Sequence, residues 1–173
     1  RKAHIVGLAK AYTTRVGTGP FPTEQENDVG SYLGEKGHEF GTVTGRKRRC
    51  GWFDTVLVQH SCQVSDIDSI ALTKLDVLDG MKELKICVGY KLNGQIIDTV
   101  PSHYHDWQNI EPVYETLPGW SGTTAGIREV NDLPKEALDY ISAIEHKVKK
   151  PISIISTSPE RNDTIIRQEF FAR

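Results

Sequence analysis

Residues 134–156 read PKEALDYISAIEHKVKKPISIIS and contain the clearest helix-to-strand transition of the chain. Three apolar side chains recur there at helical spacing: Leu138, Ile141 and Ile144. They predict a helix over 134–146, with Pro134 in its first turn and Asp132 as a possible N-cap. The run 151–156 is apolar and β-branched, which is typical of a buried strand. A helix that leads directly into a buried strand predicts an α/β architecture.

Other apolar, β-branched runs predict strands at 3–12, 54–58, 69–75, 83–92 and 95–100. Asn93-Gly94, between the last two runs, is a strong hairpin signal. Residues 54–62 also fit a helix, 24–33 fit a short helix, and 164–171 fit a last helix or strand. The Pro-, Gly-, Trp- and Thr-rich segment 101–130 is expected to be a long connection. The predicted fold class is α/β, with a mixed sheet, a β-hairpin and flanking helices.

The composition limits the possible classes of protein. A chain of 173 residues fits one domain or a large piece of one. Three widely spaced cysteines favour free thiols in a reducing compartment over a disulfide framework. The absence of a CxxC pair argues against a structural zinc site. No apolar run reaches the roughly 18 residues that span a bilayer, so we expect a cytoplasmic protein without membrane contact. The sequence does not begin with Met, so we expect a fragment or a trimmed chain.

Residues 41–52, GTVTGRKRRCGW, combine glycines, threonines and four consecutive cations. Glycine allows close approach of the backbone, hydroxyls bind oxyanions, and guanidinium groups bind carboxylate or phosphate through paired hydrogen bonds. The pattern indicates a loop that binds a small anion. A solvated basic face and a nucleic-acid patch are the alternatives. The second is disfavoured because the chain has 21 Lys and Arg against 23 Asp and Glu.

Thr73-Lys74-Leu75-Asp76 closes a predicted strand, and ligands of open α/β sheets bind at such strand ends. The Asp76 carboxylate has the acceptors needed for the N1–H and 2-amino group of guanine. Adenine lacks both donors, so an unpaired buried carboxylate would reject it. The Lys74 stem can lie across the base. A strand that simply ends in a salt bridge is the alternative.

Two further loops follow predicted strands. Ser156-Thr157-Ser158-Pro159 places hydroxyls where a base or a ribose could bind, although an N-cap before a helix is the alternative. Gly17-Thr18-Gly19-Pro20 lacks the third glycine of a dinucleotide fingerprint, and a tight turn is equally consistent with it. His103 and His105 are interpreted as parts of a surface loop, because nothing nearby has the spacing of metal ligands. No nucleophile–base arrangement stands out.

These motifs, in this order, resemble the carboxyl-terminal two-fifths of the adenylosuccinate synthetase family. The similar blocks are residues 10–24, 38–52, 72–80, 114–120 and 155–161. Several blocks in the correct order are far more specific than any one of them. The resemblance implies that residues 1–173 are the carboxyl-terminal part of one synthetase-like domain in a larger P-loop-type GTP-dependent ligase fold.

The resemblance implies that GTP phosphorylates the 6-oxygen of IMP and that the aspartate amine then displaces the phosphate. This step belongs to the AMP branch of purine biosynthesis. The residues implied for aspartate and IMP are Thr42, Val43, Thr44, Gly45, Arg46, Lys47, Arg48, Val16 and Gly17. Those implied for GTP are Arg48, Lys74, Leu75, Asp76, Ser156, Thr157 and Ser158. A cytoplasmic homodimer is implied, with IMP, L-aspartate and GTP as small-molecule partners.

The chain departs from the family pattern at three positions and in one larger respect. Val43 stands where threonine is usual, Ser158 stands where glycine is usual, and Lys47 varies in the family. The phosphate loop, the catalytic Asp and His and the Mg²⁺ ligands belong to an amino-terminal part that this sequence does not include. We therefore expect no catalytic residue, no metal ligand and no activity in this piece alone. A non-catalytic module that binds guanine nucleotides or anions is the alternative function.

Overall fold

A computed structural model describes residues 3–43 and 45–168 of the chain. The ten strands of this part are β1 (Val6–Lys10), β2 (Thr13–Arg15), β3 (Arg49–Gly51), β4 (Phe53–Asp54), β5 (Ser69–Thr73), β6 (Glu83–Leu92), β7 (Gln95–Ile97), β8 (Glu111–Pro118), β9 (Ile152–Ser156) and β10 (Thr164–Ile166). Its helices are α1 (Asp28–Lys36), α2 (Thr55–Val64), α3 (Tyr104–Trp107) and α4 (Lys135–Val148), and two 3₁₀ turns cover Leu75–Leu78 and Val130–Asp132. None of these helices is long and apolar enough to cross a membrane.

The main sheet has the strand order β1-β5-β9-β10. The first three strands are parallel, and β10 runs antiparallel to β9. Helix α4 precedes β9 and buries an apolar face with Ile141 and Ile144, so the helix-to-strand unit predicted from residues 134–156 is confirmed. Asp132 does not cap α4: it lies in the 3₁₀ turn before Leu133, and Pro134 occupies the N-cap position.

A second sheet is built around the long strand β6, which pairs with β4, β7 and β8. Asn93 and Gly94 both have positive φ, 51° and 84°, as a tight two-residue β-hairpin turn requires. The predicted hairpin between residues 83–92 and 95–100 is therefore confirmed, although β7 ends at Ile97. Together the two sheets and their helices confirm the α/β class with a mixed sheet.

Two predictions of local structure were wrong. The run 54–58 is not a strand, because the Asp54 carboxylate accepts a hydrogen bond from the Leu57 N–H and caps α2, so the helical alternative holds. A short apolar run has no periodicity that separates a strand from a buried helix turn. Segment 101–130 is not only a connection, because it contains α3 and the strand β8.

The remaining predictions need smaller changes. The first helix begins after Asn27, whose side chain accepts from the N–H groups of Val29 and Gly30, so it lies a few residues beyond the predicted 24–33. Of the segment 164–171, residues 164–168 are described and contain β10, whereas residues 169–173 lie outside the described part. Ser156 and Thr157 do not cap a helix, because bends and turns follow them and lead into β10.

Candidate functional site

The carboxyl ends of the parallel strands bring the predicted motifs to one edge of the main sheet. Lys10 of β1 pairs with Thr73 of β5, and the Ala11 N–H donates to the Thr73 carbonyl at 2.8 Å. Leu72 pairs with Ile155, so β5 and β9 leave the sheet side by side. The chain therefore places residues 74–76 next to residues 156–158 at the edge where ligands of open α/β sheets bind.

Lys74 makes a sharp turn at the end of β5. Its backbone is left-handed, with φ 61° and ψ 35°, and it leads into the 3₁₀ turn that contains Asp76. The Lys74 Nζ donates to the Gly37 carbonyl at 2.6 Å. Burial, together with the neighbouring Asp79, raises the pKa of Asp76, and Lys74 partly offsets this. Leu75 is fully buried in the core, so only its backbone can contribute to the nucleotide contact predicted for it.

Asp79 fixes the turn that carries Asp76. Its carboxylate accepts from the Trp120 indole at 2.6 Å and from the N–H and hydroxyl of Thr124, both at 2.8 Å. Its carbonyl accepts from the Tyr32 hydroxyl at 2.6 Å. Helix α1 and the 120–124 loop therefore hold the 75–78 turn from two sides.

The basic loop, residues 41–48, is closed by its own backbone. The Gly41 N–H donates to the Arg46 carbonyl and the Gly45 N–H to the Gly41 carbonyl, both at 2.8 Å. Gly45 has φ +64°, a conformation that glycine adopts without strain. Thr42, Val43, Gly45, Arg46 and Lys47 are exposed, and Val43 is 96% exposed. Thr44, which belongs to the predicted aspartate loop, lies outside the described residues.

Glu39 connects the basic loop to the end of β5. Its side chain is fully buried, and its two oxygens accept from the Lys10 Nζ, each at 2.8 Å. The Arg48 Nη1 donates to Oε2 at 2.8 Å, and the Tyr12 hydroxyl donates to Oε1 at 2.6 Å. The Lys74 Nζ lies 3.7 Å from Oε1. Arg48 and Lys74, for which the family resemblance implies contacts to GTP, thus meet at a single carboxylate.

The electrostatics of this cluster favour anions. Burial alone would raise the pKa of Glu39, but hydrogen bonds from Lys10, Tyr12 and Arg48 lower it to about 2. The carboxylate is therefore ionised at neutral pH. Three cations (Lys10, Arg48 and Lys74) surround this one negative charge and leave an excess of positive charge, which suits a phosphate or carboxylate ligand.

The short β2–β3 sheet places Val16 and Gly17 beside the basic loop. Arg15 pairs with Arg49 in antiparallel register, so the 16–19 loop starts where the basic run ends. The Arg49 Nη1 donates to the carbonyls of Gly17 at 3.1 Å and Gly19 at 2.9 Å, while the guanidinium is ion-paired with Glu24. The predicted contacts to IMP and to aspartate therefore lie on adjacent chain segments.

The loop after β9 is held by its own side chains. The Thr157 hydroxyl is buried and donates to the Ile127 carbonyl at 2.8 Å, and the Ser156 hydroxyl donates to the Ser158 carbonyl at 2.9 Å. The Ser158 hydroxyl donates to Asp163 at 2.7 Å, and this bond, with help from Arg128, lowers the pKa of Asp163. A contact from Thr157 to a base would have to come from its backbone.

The sequence reasoning gave no role to the side chains that hold these loops in place. They are Lys10, Tyr12, Glu39 and Asp79, and Arg49 was predicted only as one cation of the basic run. Each lies inside one of the similar blocks, and Lys10 lies near the end of the predicted strand 3–12, so position alone could have drawn attention to it. No equivalent local signal marks Glu39, because its four side-chain partners come from three separate segments.

The described residues do not fit a metal site. Within 3–43 and 45–168, no three His, Cys, Asp or Glu side chains are grouped in a way that could hold an ion. The polar groups at the edge of the sheet are mainly cations and hydroxyls, which bind anions rather than Mg²⁺.

Comparison with known proteins relates the whole chain to one family. A family profile described as adenylosuccinate synthetase matches residues 1–165. The chain is also similar to a solved structure described as fully ligated adenylosuccinate synthetase from Plasmodium falciparum, with 44% identity and a TM-score of 0.91. The match covers 95% of this chain and 40% of that protein, so the chain spans about two-fifths of the length of this relative.

Proposed function

This chain belongs to the adenylosuccinate synthetase family, and on that premise we propose that it is the carboxyl-terminal part of a GTP-dependent ligase. The complete enzyme would join IMP and L-aspartate into adenylosuccinate, in the AMP branch of purine biosynthesis. One observation supports the proposal most: the four predicted binding segments, which are far apart in sequence, adjoin one another. The pairing of Arg15 with Arg49 brings the 16–17 loop and the basic loop to one end of β2–β3, and the pairing of Leu72 with Ile155 brings the starts of 74–76 and 156–158 to one end of β5–β9. Glu39 contacts both Arg48 and Lys74 and so connects the two regions.

The proposed reaction has two steps. The 6-oxygen of IMP attacks the γ-phosphorus of GTP, and GDP leaves, which gives 6-phosphoryl-IMP. The aspartate amine then attacks C6, the C–N bond forms, and phosphate departs with the 6-oxygen. The negative charge that develops on the phosphoryl oxygens needs fixed positive groups around it.

The basic loop would bind the aspartate substrate. Arg46 would lie between aspartate and IMP, and Arg48 would contact aspartate and GTP. Thr42, Val43, Thr44, Gly45 and Lys47 would complete the loop around the substrate carboxylates. Val43 offers no hydroxyl, so backbone N–H groups would supply the donor at its position. Val16 and Gly17, beside the loop, would contact the ribose of IMP.

The end of β5 would read the guanine base. Asp76 would accept from N1–H and the 2-amino group, and the Lys74 stem would cover the base plane. The partial burial of Asp76 supports this role, because adenine would leave the half-buried carboxylate without a hydrogen-bond donor. Ser156 to Ser158 would line the other side of the base, next to Leu75.

The amino-terminal part of the enzyme would supply the phosphate loop, the catalytic Asp and His and the ligands of Mg²⁺. The outer edge of β1 supports such an addition, because among the described residues no strand pairs with it and Leu8 is 78% exposed. We also propose the P-loop-type fold of the whole, a homodimer and a cytoplasmic location, all three from the family.

The proposal is tested by comparing two preparations in an assay of adenylosuccinate formation from IMP, GTP, aspartate and Mg²⁺. A complete polypeptide that carries this chain should form adenylosuccinate, and the 173-residue chain should not. Inactivity of the folded complete polypeptide would refute the ligase function. Turnover by a homogeneous preparation of the chain would refute the division of labour between the two parts.

A second function, as a non-catalytic module that binds guanine nucleotides or anions, is favoured by the three cations, Lys10, Arg48 and Lys74, that gather around Glu39. Calorimetry of the chain with GTP, GDP and aspartate separates the two proposals. A part of an enzyme should bind these ligands weakly, whereas a module should bind GDP or GTP tightly without the rest of the polypeptide.

A further inference from the structure

We propose that Glu39 is a positioning residue that holds Arg48 and Lys74 in one arrangement, so that binding of aspartate and of guanine nucleotide depends on the same carboxylate. This inference rests on the proposed function. It adds a residue that touches no substrate but sets the geometry of two groups that do.

The two oxygens of Glu39 face different parts of the site. Oε2 accepts from the Arg48 guanidinium at 2.8 Å, on the side of the basic loop. Oε1 accepts from the Tyr12 hydroxyl at 2.6 Å and lies 3.7 Å from the Lys74 ammonium, on the side of β5. Lys10 donates to both oxygens and fixes the plane of the carboxylate between them. One rigid group therefore orients both cations.

The backbone around Glu39 is fixed as well. The Glu39 N–H donates to the Gly34 carbonyl at the end of α1, and the Arg48 N–H donates to the Glu39 carbonyl, both at 2.8 Å. Arg48 is thus attached to Glu39 by its main chain and by its side chain. A shift of the carboxylate would change the direction in which the Arg48 guanidinium points without unfolding the loop.

The charge of Glu39 also keeps three cations together. Without it, Lys10, Arg48 and Lys74 would repel one another across a partly buried cluster. Arg48 and Lys74 would then adopt other rotamers, since both side chains reach solvent, with 33% and 37% exposed. Binding of either ligand would then include the free-energy cost of returning Arg48 or Lys74 to its binding rotamer, so both affinities should fall together.

The test is steady-state kinetics of the complete polypeptide with Glu39→Gln, which keeps the shape and removes the charge. We expect KM for aspartate and KM for GTP each to rise at least fivefold, while kcat at saturation falls less than threefold. A merely structural role would lower the active fraction, and therefore kcat, without moving either KM. Both KM values within twofold of wild type would overturn the inference.

Glu145→Gln is the matched control. Glu145 accepts from Arg167 at 2.8 Å and from the Ile152 N–H at 2.6 Å, at the opposite end of β9 from the site. The Glu145→Gln variant should be less stable than wild type, with both KM values unchanged. A rise in both KM values as large as that of Glu39→Gln would overturn the inference, because it would show that the loss of any ion pair has this effect. If Glu39→Gln does not fold, Glu39→Asp keeps the charge and shortens the reach. At least one KM should then rise threefold or more, and no change in either would overturn the inference.

The design separates this inference from the function it rests on. If the wild-type complete polypeptide forms no adenylosuccinate, the proposed function fails. If it is active and Glu39→Gln leaves both KM values unchanged, only the role of Glu39 fails.

Discussion

The buried Glu39 carboxylate should contribute a pH-dependent share of the stability of this chain. In the folded state its pKa is lowered to about 2, against 4.5 as the ordinary value. A depressed folded-state pKa stabilises the fold above the unfolded pKa, and the contribution is lost as the pH falls through the folded pKa. The window is therefore about pH 5 to pH 2.

The size of the effect follows from this difference. Each pKa unit corresponds to about 1.4 kcal/mol, so a pKa lowered from 4.5 to about 2 corresponds to roughly 3 kcal/mol at neutral pH. The Glu39 side chain is fully buried, but Lys10 and Arg48, which lower its pKa, are 23% and 33% exposed, so solvent screening makes this value an upper figure. Glu39→Gln should therefore destabilise the chain by up to about this amount at pH 7.

The assay is urea unfolding of the wild-type chain and of Glu39→Gln at several values between pH 7 and pH 2.5. The difference in the free energy of unfolding should stay constant down to about pH 5 and then shrink steadily. The difference cancels the other carboxylates that titrate in this range, because both proteins contain them. A difference that does not change with pH would refute the reasoning, since it would mean that the carboxylate is not held ionised by its partners.

Two further predictions concern single groups. Arg46→Leu in the complete polypeptide should raise KM for aspartate more than tenfold. The reason is that losing the pairing between a guanidinium and the enclosed carboxylate of the bound substrate costs about 2–5 kcal/mol. A change below threefold would contradict the assignment of Arg46 to the aspartate substrate. Tyr90→Phe should destabilise the chain by about 1–3 kcal/mol, because the Tyr90 hydroxyl donates to the buried Asp54 carboxylate at 2.6 Å and its loss leaves that oxygen unpaired. Denaturant unfolding measures the effect of Tyr90→Phe, and a loss of stability below about 0.5 kcal/mol would contradict this prediction.

The parts of the fold that the sequence predicted are those with a local cause. Helix α4 follows from apolar spacing and β9 from a β-branched run, and the turn at Asn93-Gly94 follows from two residues that accept positive φ. Strand β8 was missed because its side chains are half-buried or exposed and many are polar, so the sequence lacks a clear apolar strand pattern. It forms by pairing with β6, which lies elsewhere in the sequence. Asp132 was misjudged as a cap because the 3₁₀ turn before α4 leaves no local pattern.

The candidate site shows the same division. The segments around Arg46, Lys74 and Ser156 were predicted as binding segments because glycines, hydroxyls and charges follow predicted strands or form a dense run. Their arrangement around Glu39 was not predicted, because it depends on how β1, β5 and α1 pack, and no short stretch of sequence contains that information. Leu75 and Thr157 show the converse: the pattern places them in the site, and the fold turns their side chains inward.

The central claim is that the end of β5 recognises guanine beside a loop that binds the second substrate, and Asp76→Asn in the complete polypeptide tests it most directly. This substitution replaces an acceptor oxygen with a donor, whereas Asp139→Asn, at the exposed Lys135–Asp139 pair of α4, serves as the control. The ratio of kcat/KM with GTP to kcat/KM with ATP is the quantity to measure. The account predicts at least a tenfold fall in that ratio for Asp76→Asn and none for the control. An unchanged ratio for Asp76→Asn would contradict it.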